Sequence, residues 1–114
     1  MKRDLKLFVH DIMESINDIE SFSNGLSKRD LSENRMKQNA IIRGIEIIGE
    51  ATKNIPDDFR KNYPEIEWRK IAGLRDIVIH TYFDIDLDVL WEIIKNDLPK
   101  LKKKIEKILN DLNS

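Results

Sequence analysis

The chain has 114 residues, of which 36% are charged and 40% hydrophobic, and its formal net charge is -1. This balance predicts a single domain over residues 1–114 and excludes a disordered chain and a wholly basic surface for nucleic acid. The absence of cysteine excludes disulfides and thiolate zinc sites and suits a cytoplasmic protein. No apolar run reaches the roughly 20 residues of a membrane span, and we expect no signal peptide.

Apolar residues recur at intervals of three and four, which predicts helices throughout. The first helix is predicted from about Asp4 to Phe22. Ser27 or Ser32 should cap a second helix that reaches about Asn54.

A short helix is predicted over Asp57–Tyr63, followed by a longer helix from residue 67 to residues 80–83. Asp84 or Asp86 can cap the last helix, in which Pro99 should cause a kink or a break. Four major helices and one short helix, joined by short connections, predict an all-α, up-and-down helical bundle.

The second helix carries isoleucines on more than one face. They are Ile41, Ile42, Ile45, Ile47 and Ile48. Gly44 and Gly49 lie in its interior, where glycine costs about 1 kcal/mol relative to alanine. Such a helix is packed on more than one side. It is either the central helix of the monomer or also a contact with another subunit.

The segment Arg75–Tyr82 contains the residue types that metal-free RNA cleavage needs. Arginine stays protonated and binds phosphate, and histidine exchanges protons near neutral pH. His80 can take the proton of a ribose 2'-OH while Arg75 stabilises the charge on the attacked phosphate. The alternative interpretation is a salt bridge and a helix cap.

The spacing of these residues sets a geometric condition. On a regular helix Arg75 and His80 point about 140° apart. They converge only if the helix loosens before His80, or if two subunits form one cleft across a symmetry axis. Asp76 precedes His80 by four residues and can orient the imidazole if both lie on one helix.

Three sequence elements occur together, namely Ile48–Ala51 (IGEA), Pro64–Asp76 and His80–Phe83. In sequence and spacing they resemble the HepT-like family of HEPN-domain proteins, which has the motif R-x4-H-x-Y, and the resemblance spans most of the chain. It implies a HEPN-like helical bundle that forms a homodimer. It also implies an endoribonuclease toxin that needs neither metal nor cofactor.

The resemblance also implies roles for single residues. Arg75 and His80 would be the catalytic pair, supplied by both subunits to one cleft. We expect Asp76, from its spacing to His80, and Glu50, from its place in the IGEA element, to support them. The partner would be an MNT-type nucleotidyltransferase antitoxin. In the best-understood branch of the family, such a partner adds AMP to the motif tyrosine, here Tyr82. The added bulk and negative charge would repel the RNA phosphate.

The chain departs from many relatives at Thr81, where they have glycine, but both side chains of the implied catalytic pair, Arg75 and His80, are retained. Some HEPN proteins are interpreted as substrate-binding partners of nucleotidyltransferases. A non-catalytic, nucleotide-binding subunit is therefore the alternative function, and a purely structural bundle is a third.

Other polar clusters have simpler interpretations. Arg43, Glu46 and Glu50 can line a dimer cleft or partner surface, but an exposed charge cluster is favoured. The lysines of the last helix can attract RNA, but a solvated face is favoured. These lysines are Lys100, Lys102, Lys103, Lys104 and Lys107.

Two pairs of residues suggest a ligand site only weakly. His10 and Glu14 are four residues apart and can share a metal, but no further ligand is in view. Trp68 and Trp91 can stack on bases, yet both lie on apolar stripes, which favours packing.

Overall fold

The structure, a computed structural model, describes residues 2–79 and 84–114. Helix α1 covers Lys2–Ser23, and its fully buried apolar side chains recur at intervals of three and four residues. They are Val9, Ile12, Ile16 and Ile19, each at most 1% exposed. After α1, Gly25 turns the chain with a φ of 77°, a conformation that favours glycine.

The predicted second helix is divided in two. Helix α2 covers Lys28–Ser32 and helix α3 covers Arg35–Lys53. Ser27 caps α2 through a capping box, as one of the two predicted caps. Ser32 does not cap α3, because its hydroxyl donates to a carbonyl within α2. Asn34 instead accepts from a backbone N–H of the first turn of α3, which starts a new helix.

Helix α4 covers Asp57–Arg60 and is shorter than the predicted helix over Asp57–Tyr63. Tyr63 is buried, and its hydroxyl donates to Oδ2 of Asp111 at 2.7 Å, near the end of the last helix. Burial, followed by this hydrogen bond, raises the pKa of Tyr63 to about 12. The contact joins the connection after α4 to the last helix.

The next predicted helix is also divided. Helix α5 covers Trp68–Ala72, and helix α6 covers Leu74–Val78, with Gly73 between them. Ile79 has an extended conformation, so α6 ends before the predicted range of residues 80–83. Trp68 is buried, and its indole N–H donates to the backbone carbonyls of Arg60, at the end of α4, and Tyr63, which confirms a packing role.

The last helical region has no break at its proline. Helix α7 covers Leu87–Glu92, a π-helical turn covers Ile93–Asp97, and helix α8 covers Leu98–Leu112. Asp86 is the cap of α7. Pro99 lacks an N–H and its ring crowds the carbonyl four residues earlier, and the wider π turn directly before it accommodates both effects.

Helix α3 is central, because it packs against α1 on one side and against α5 and α6 on another, while α8 packs against α1. This confirms the predicted burial of α3 on more than one side. The described residues form an all-α bundle of four major regions, as the sequence predicted. These regions are α1, α2–α3, α5–α6 and α7–α8, with α4 as the short helix. Within the described ranges, no helix combines the length and apolar character that crossing a bilayer requires.

Candidate functional site

Arg75 lies on the outer face of α6, and half of its side chain (50%) is exposed. Its Nε donates to Oε2 of Glu46 at 2.9 Å. Glu46 lies in the middle of α3, 29 residues earlier in the chain, and its side chain is 35% exposed. Among the residues that the structure describes, Nη1 and Nη2 of Arg75 have no hydrogen-bond partner. Within the described part of the chain, the guanidinium is thus anchored through one of its three nitrogens.

The orientation of Arg75 follows from how α6 is buried. Leu74 and Val78 are four residues apart, on one face of α6, and are 2% and 0% exposed. They hold this face against the core. Arg75, Asp76 and Ile77 are exposed as a result, because they lie between the two buried positions.

A close contact between helices places α5 and α6 beside Glu46. At Gly49 of α3, a Cβ atom would lie 3.0 Å from the carbonyl oxygen of Ala72, at the end of α5. Glycine therefore allows the backbone of α5 to approach α3 closely. Gly49 is one helical turn after Glu46, and Arg75 follows Ala72 by three residues. The approach at Gly49 thus brings Arg75 to Glu46.

The chain after α6 is fixed on both sides of the proposed histidine. Ile79 and Ile85 form an isolated antiparallel bridge, and the N–H of Asp86 donates to the carbonyl oxygen of Val78 at 2.7 Å. His80 and Tyr82, two of the predicted site residues, lie outside the described residues. Because α6 ends at Val78, the helix does loosen before residue 80, which is one of the two conditions for Arg75 and His80 to converge.

Asp76 is exposed on α6 and forms no side-chain hydrogen bond or ion pair with the part of the chain that the structure describes. Its predicted contact with His80 assumed one continuous helix. Since α6 ends two residues after Asp76, this assumption is wrong, and the usual contact between residues four apart on a helix does not apply.

Glu50 is exposed on α3, one turn after Glu46. Both glutamates border a surface groove of about 360 Å³ between α1 and α3. The groove is lined by Phe8, Asp11, Arg43, Glu46, Ile47, Glu50, Ala51 and Asn54. Its ionisable groups are mostly acidic, so Glu50 lies beside the site of Arg75 but not among cations that would attract RNA.

Glu46 is the residue whose contact the sequence interpretation missed. Local spacing placed it in an exposed charge cluster with Arg43 and Glu50, whereas the structure pairs it with Arg75. No local pattern reveals this pair, because residues on different helices meet only through the packing of α3 against α6. A helical wheel of α3 that marked the polar residue one turn before Gly49 would have narrowed the choice of partners for Arg75.

The remaining candidates behave as surface groups. His10 and Glu14 are exposed, and no group of three or more possible ligands of a metal ion is present in residues 2–79 and 84–114. Lys102 pairs with Glu20 at 2.9 Å, and Nζ of Lys104 donates to a backbone carbonyl. The lysines of α8 therefore fit the favoured interpretation of a solvated face.

Comparisons with known proteins agree with the motif. The HepT-like family model, described as Ribonuclease HepT-like, matches residues 12–108. The chain is 48% identical over 108 residues to "Probable ribonuclease HepT" of Thermococcus cleftensis, which covers 95% of this chain and 98% of that protein. It is 47% identical over 105 residues to "Putative RNase MJ1380" of Methanocaldococcus jannaschii, covering 92% and 96% of the two chains. No solved structure matches the chain.

Proposed function

Because the chain belongs to the HepT-like ribonuclease family, we propose that it is a metal-independent endoribonuclease and the toxin of a toxin–antitoxin pair. The observation that carries the proposal is the state of Arg75. Its guanidinium is exposed and, among the described residues, is anchored through Nε alone; it lies five residues before His80 in the sequence, with helix α6 ending between them. This arrangement suits a cation that receives a phosphate.

In the proposed reaction, His80 takes the proton from a ribose 2'-OH, and the oxygen attacks the adjacent phosphorus. Arg75 donates hydrogen bonds to the phosphoryl oxygens, on which charge accumulates. The bond to the 5'-oxygen breaks, this oxygen takes up a proton from water, and His80 releases its proton to solvent. The products are a 2',3'-cyclic phosphate and a 5'-hydroxyl end. DNA lacks the 2'-OH, so the site selects RNA.

The proposed enzyme is a homodimer that brings both copies of Arg75 and His80 to one cleft. Ile77 supports contact between two copies along α6, because it is 40% exposed, two residues after Arg75 and on another face of the helix. An exposed isoleucine beside a charged site is suited to burial against a second copy. Glu50, at the edge of the neighbouring groove, and Asp76 are proposed as supporting residues of this cleft.

The proposed partner is an MNT-type nucleotidyltransferase antitoxin that adds AMP to Tyr82. The modified tyrosine, two residues from His80, would place bulk and negative charge where the RNA phosphate binds. Toxin, antitoxin and RNA would meet in the cytoplasm. The cysteine-free composition suits that reducing compartment.

Cleavage of total cellular RNA in excess EDTA tests the proposal. Wild type is compared with Arg75→Ala and His80→Ala, and Arg69→Ala is the matched control because Arg69 is an exposed arginine on the neighbouring α5. We expect cleavage by wild type and the control, and a loss of roughly 100- to 1000-fold in the two site variants. Mass spectrometry of the fragments should show 2',3'-cyclic phosphate ends.

Intact mass and light scattering decide how a negative result is interpreted. Wild type that carries added AMP and does not cleave would be the neutralised form, and removal of the AMP should restore cleavage. An unmodified, dimeric and inactive wild type would contradict the nuclease and favour the nucleotide-binding subunit. Equal cleavage by wild type and both site variants would contradict the assigned roles of Arg75 and His80.

A further inference from the structure

We propose that Glu46 is a positioning residue that holds Arg75 through Nε and turns the edge formed by Nη1 and Nη2 toward the RNA phosphate. The inference rests on the proposed nuclease activity. It adds a residue from α3, 29 positions before Arg75, to the machinery of the site.

The geometry of the guanidinium group supports this role. Arginine binds a phosphate most strongly when two parallel N–H groups meet two oxygens. The guanidinium offers two such edges, one formed by Nε with a terminal nitrogen and one formed by both terminal nitrogens. Glu46 occupies Nε at 2.9 Å. The phosphate is therefore directed to the edge formed by Nη1 and Nη2.

The position of Glu46 on a long helix makes the contact effective. Glu46 lies within the 19-residue helix α3, between Ile45 and Ile48, which are 1% and 0% exposed. An exposed arginine side chain otherwise samples many rotamers, and ordering it during the reaction costs free energy. A carboxylate on a rigid, buried helix supplies this order before the substrate arrives.

The negative charge of Glu46 has an opposing effect, because it offsets part of the positive charge of Arg75. This would weaken the binding of RNA in the ground state. Both side chains are exposed by a third or more, so water and salt reduce the electrostatic offset, whereas the geometric effect on Arg75 remains. Positioning therefore outweighs repulsion in the proposal, and kinetics can separate the two effects.

The experiment measures kcat and KM with an RNA oligonucleotide that wild type cleaves, and the Kd of its 2'-deoxy analogue, which cannot react. Glu46→Gln keeps the shape of the side chain but replaces the charge-assisted hydrogen bond to Nε with a weaker one, because an amide oxygen is a poorer acceptor than a carboxylate. We expect kcat to fall roughly 10- to 100-fold, because a displaced catalytic group costs about this much. The Kd of the analogue should change less than about threefold, and the melting temperature should remain near that of wild type.

The matched control is Glu20→Gln, which breaks the ion pair of Glu20 with Lys102, also at 2.9 Å but between α1 and α8. It should leave kcat unchanged. Arg75→Lys keeps a positive charge but has no Nε to anchor. If Glu46 acts through Arg75, Glu46→Gln should lower kcat less than about threefold in the Arg75→Lys background.

Each outcome supports or overturns the role of Glu46. An equal loss of kcat in the wild-type and Arg75→Lys backgrounds would show that Glu46 acts independently of Arg75. An unchanged kcat in Glu46→Gln would show that Glu46 does not position Arg75. An increased kcat would show that Glu46 restrains Arg75. If Arg75→Ala is inactive while Glu46→Gln is fully active, the proposed nuclease stands and the positioning role fails. If wild type itself cleaves no RNA, the proposed function fails first.

Discussion

Helix α3 packs against α1 at Gly44 and against α5 at Gly49, and the two glycines face different kinds of atoms. A Cβ at Gly44 would lie 2.8 Å from Cγ1 of Ile19, which is part of a side chain. A Cβ at Gly49 would lie 3.0 Å from the carbonyl oxygen of Ala72, which is part of the backbone. A side chain can adopt another rotamer, whereas a helical carbonyl moves only with its helix.

The difference separates stability from the geometry of the site. At Gly44 the contact of α3 with α1 is apolar and involves neither α5 nor α6, so we expect it to stabilise the fold without setting the position of Arg75. The contact with α5 also stabilises the fold, but α6 follows directly after Gly73 and carries Arg75. A shift of α5 therefore changes the distance between Arg75 and Glu46. Substitutions on the two sides of α3 should differ in their effect on cleavage more than in their effect on stability.

The largest expected effect on stability comes from a substitution in the contact of α3 with α1. Ile19→Ala removes a side chain that is 0% exposed and leaves a cavity beside Gly44. We expect the free energy of unfolding to fall by about 2–5 kcal/mol, measured by urea denaturation. Cleavage per folded molecule should remain that of wild type. A parallel loss of cleavage would show that the α1 side also sets the site.

Gly49→Ala and Gly44→Ala compare the two sides directly. Overpacking costs roughly 1–3 kcal/mol, and the better helix propensity of alanine offsets about 1 kcal/mol of this. Both variants should therefore be moderately destabilised in urea. Only Gly49→Ala should lower the cleavage rate of the folded protein, because it moves α5 and α6. Equal cleavage rates of the two variants would contradict the comparison.

The double variant Gly44→Ala with Ile19→Ala tests whether these two positions share space where α3 packs against α1. The methyl group introduced at position 44 partly fills the space that the side chain of Ile19 leaves. The loss of stability should therefore be smaller than the sum of the two single losses, by about 0.5 kcal/mol or more. Additive losses would show that the two positions do not share this space.

Tyr63→Phe tests a contact that holds the chain just before α5 against α8, since it removes the hydrogen bond to Asp111. We expect a loss of roughly 1 kcal/mol near neutral pH. The pKa of Tyr63 is raised to about 12 in the folded chain, above its ordinary value of 10.0. The stabilisation is therefore complete below pH 10 and declines as the pH rises toward 12. The advantage of wild type over Tyr63→Phe should shrink over this range, and a constant difference would contradict the assignment.

The smallest expected effect on stability is that of Glu46→Gln. The side chains of its ion pair with Arg75 are 35% and 50% exposed, and pairs of this kind contribute about 0–1 kcal/mol. The urea midpoint should remain close to that of wild type, as in Glu33→Gln, which breaks the exposed pair of Arg29 and Glu33. A loss of several kcal/mol would assign Glu46 to the core of the fold and not to the site.

The sequence predicted much of the fold because burial and capping act locally. The spacing of apolar residues in α1 and α8 predicted both helices, and Ser27 and Asp86 were among the predicted caps. The predicted bounds were wrong where a competing signal lay nearby. Asn34 starts α3 anew, Gly73 separates α5 from α6, and a π-helical turn accommodates Pro99.

By itself, the sequence determined the all-α class, the family and the presence of Arg75, because these depend on residue types and spacings within short segments. Only the tertiary structure decided which carboxylate meets Arg75. Glu46 and Arg75 lie 29 residues apart, on helices that approach each other closely because Gly49 has no side chain. The sequence shows that both residues exist, but their contact depends on the packing distance between α3 and α5, which is set by the core as a whole.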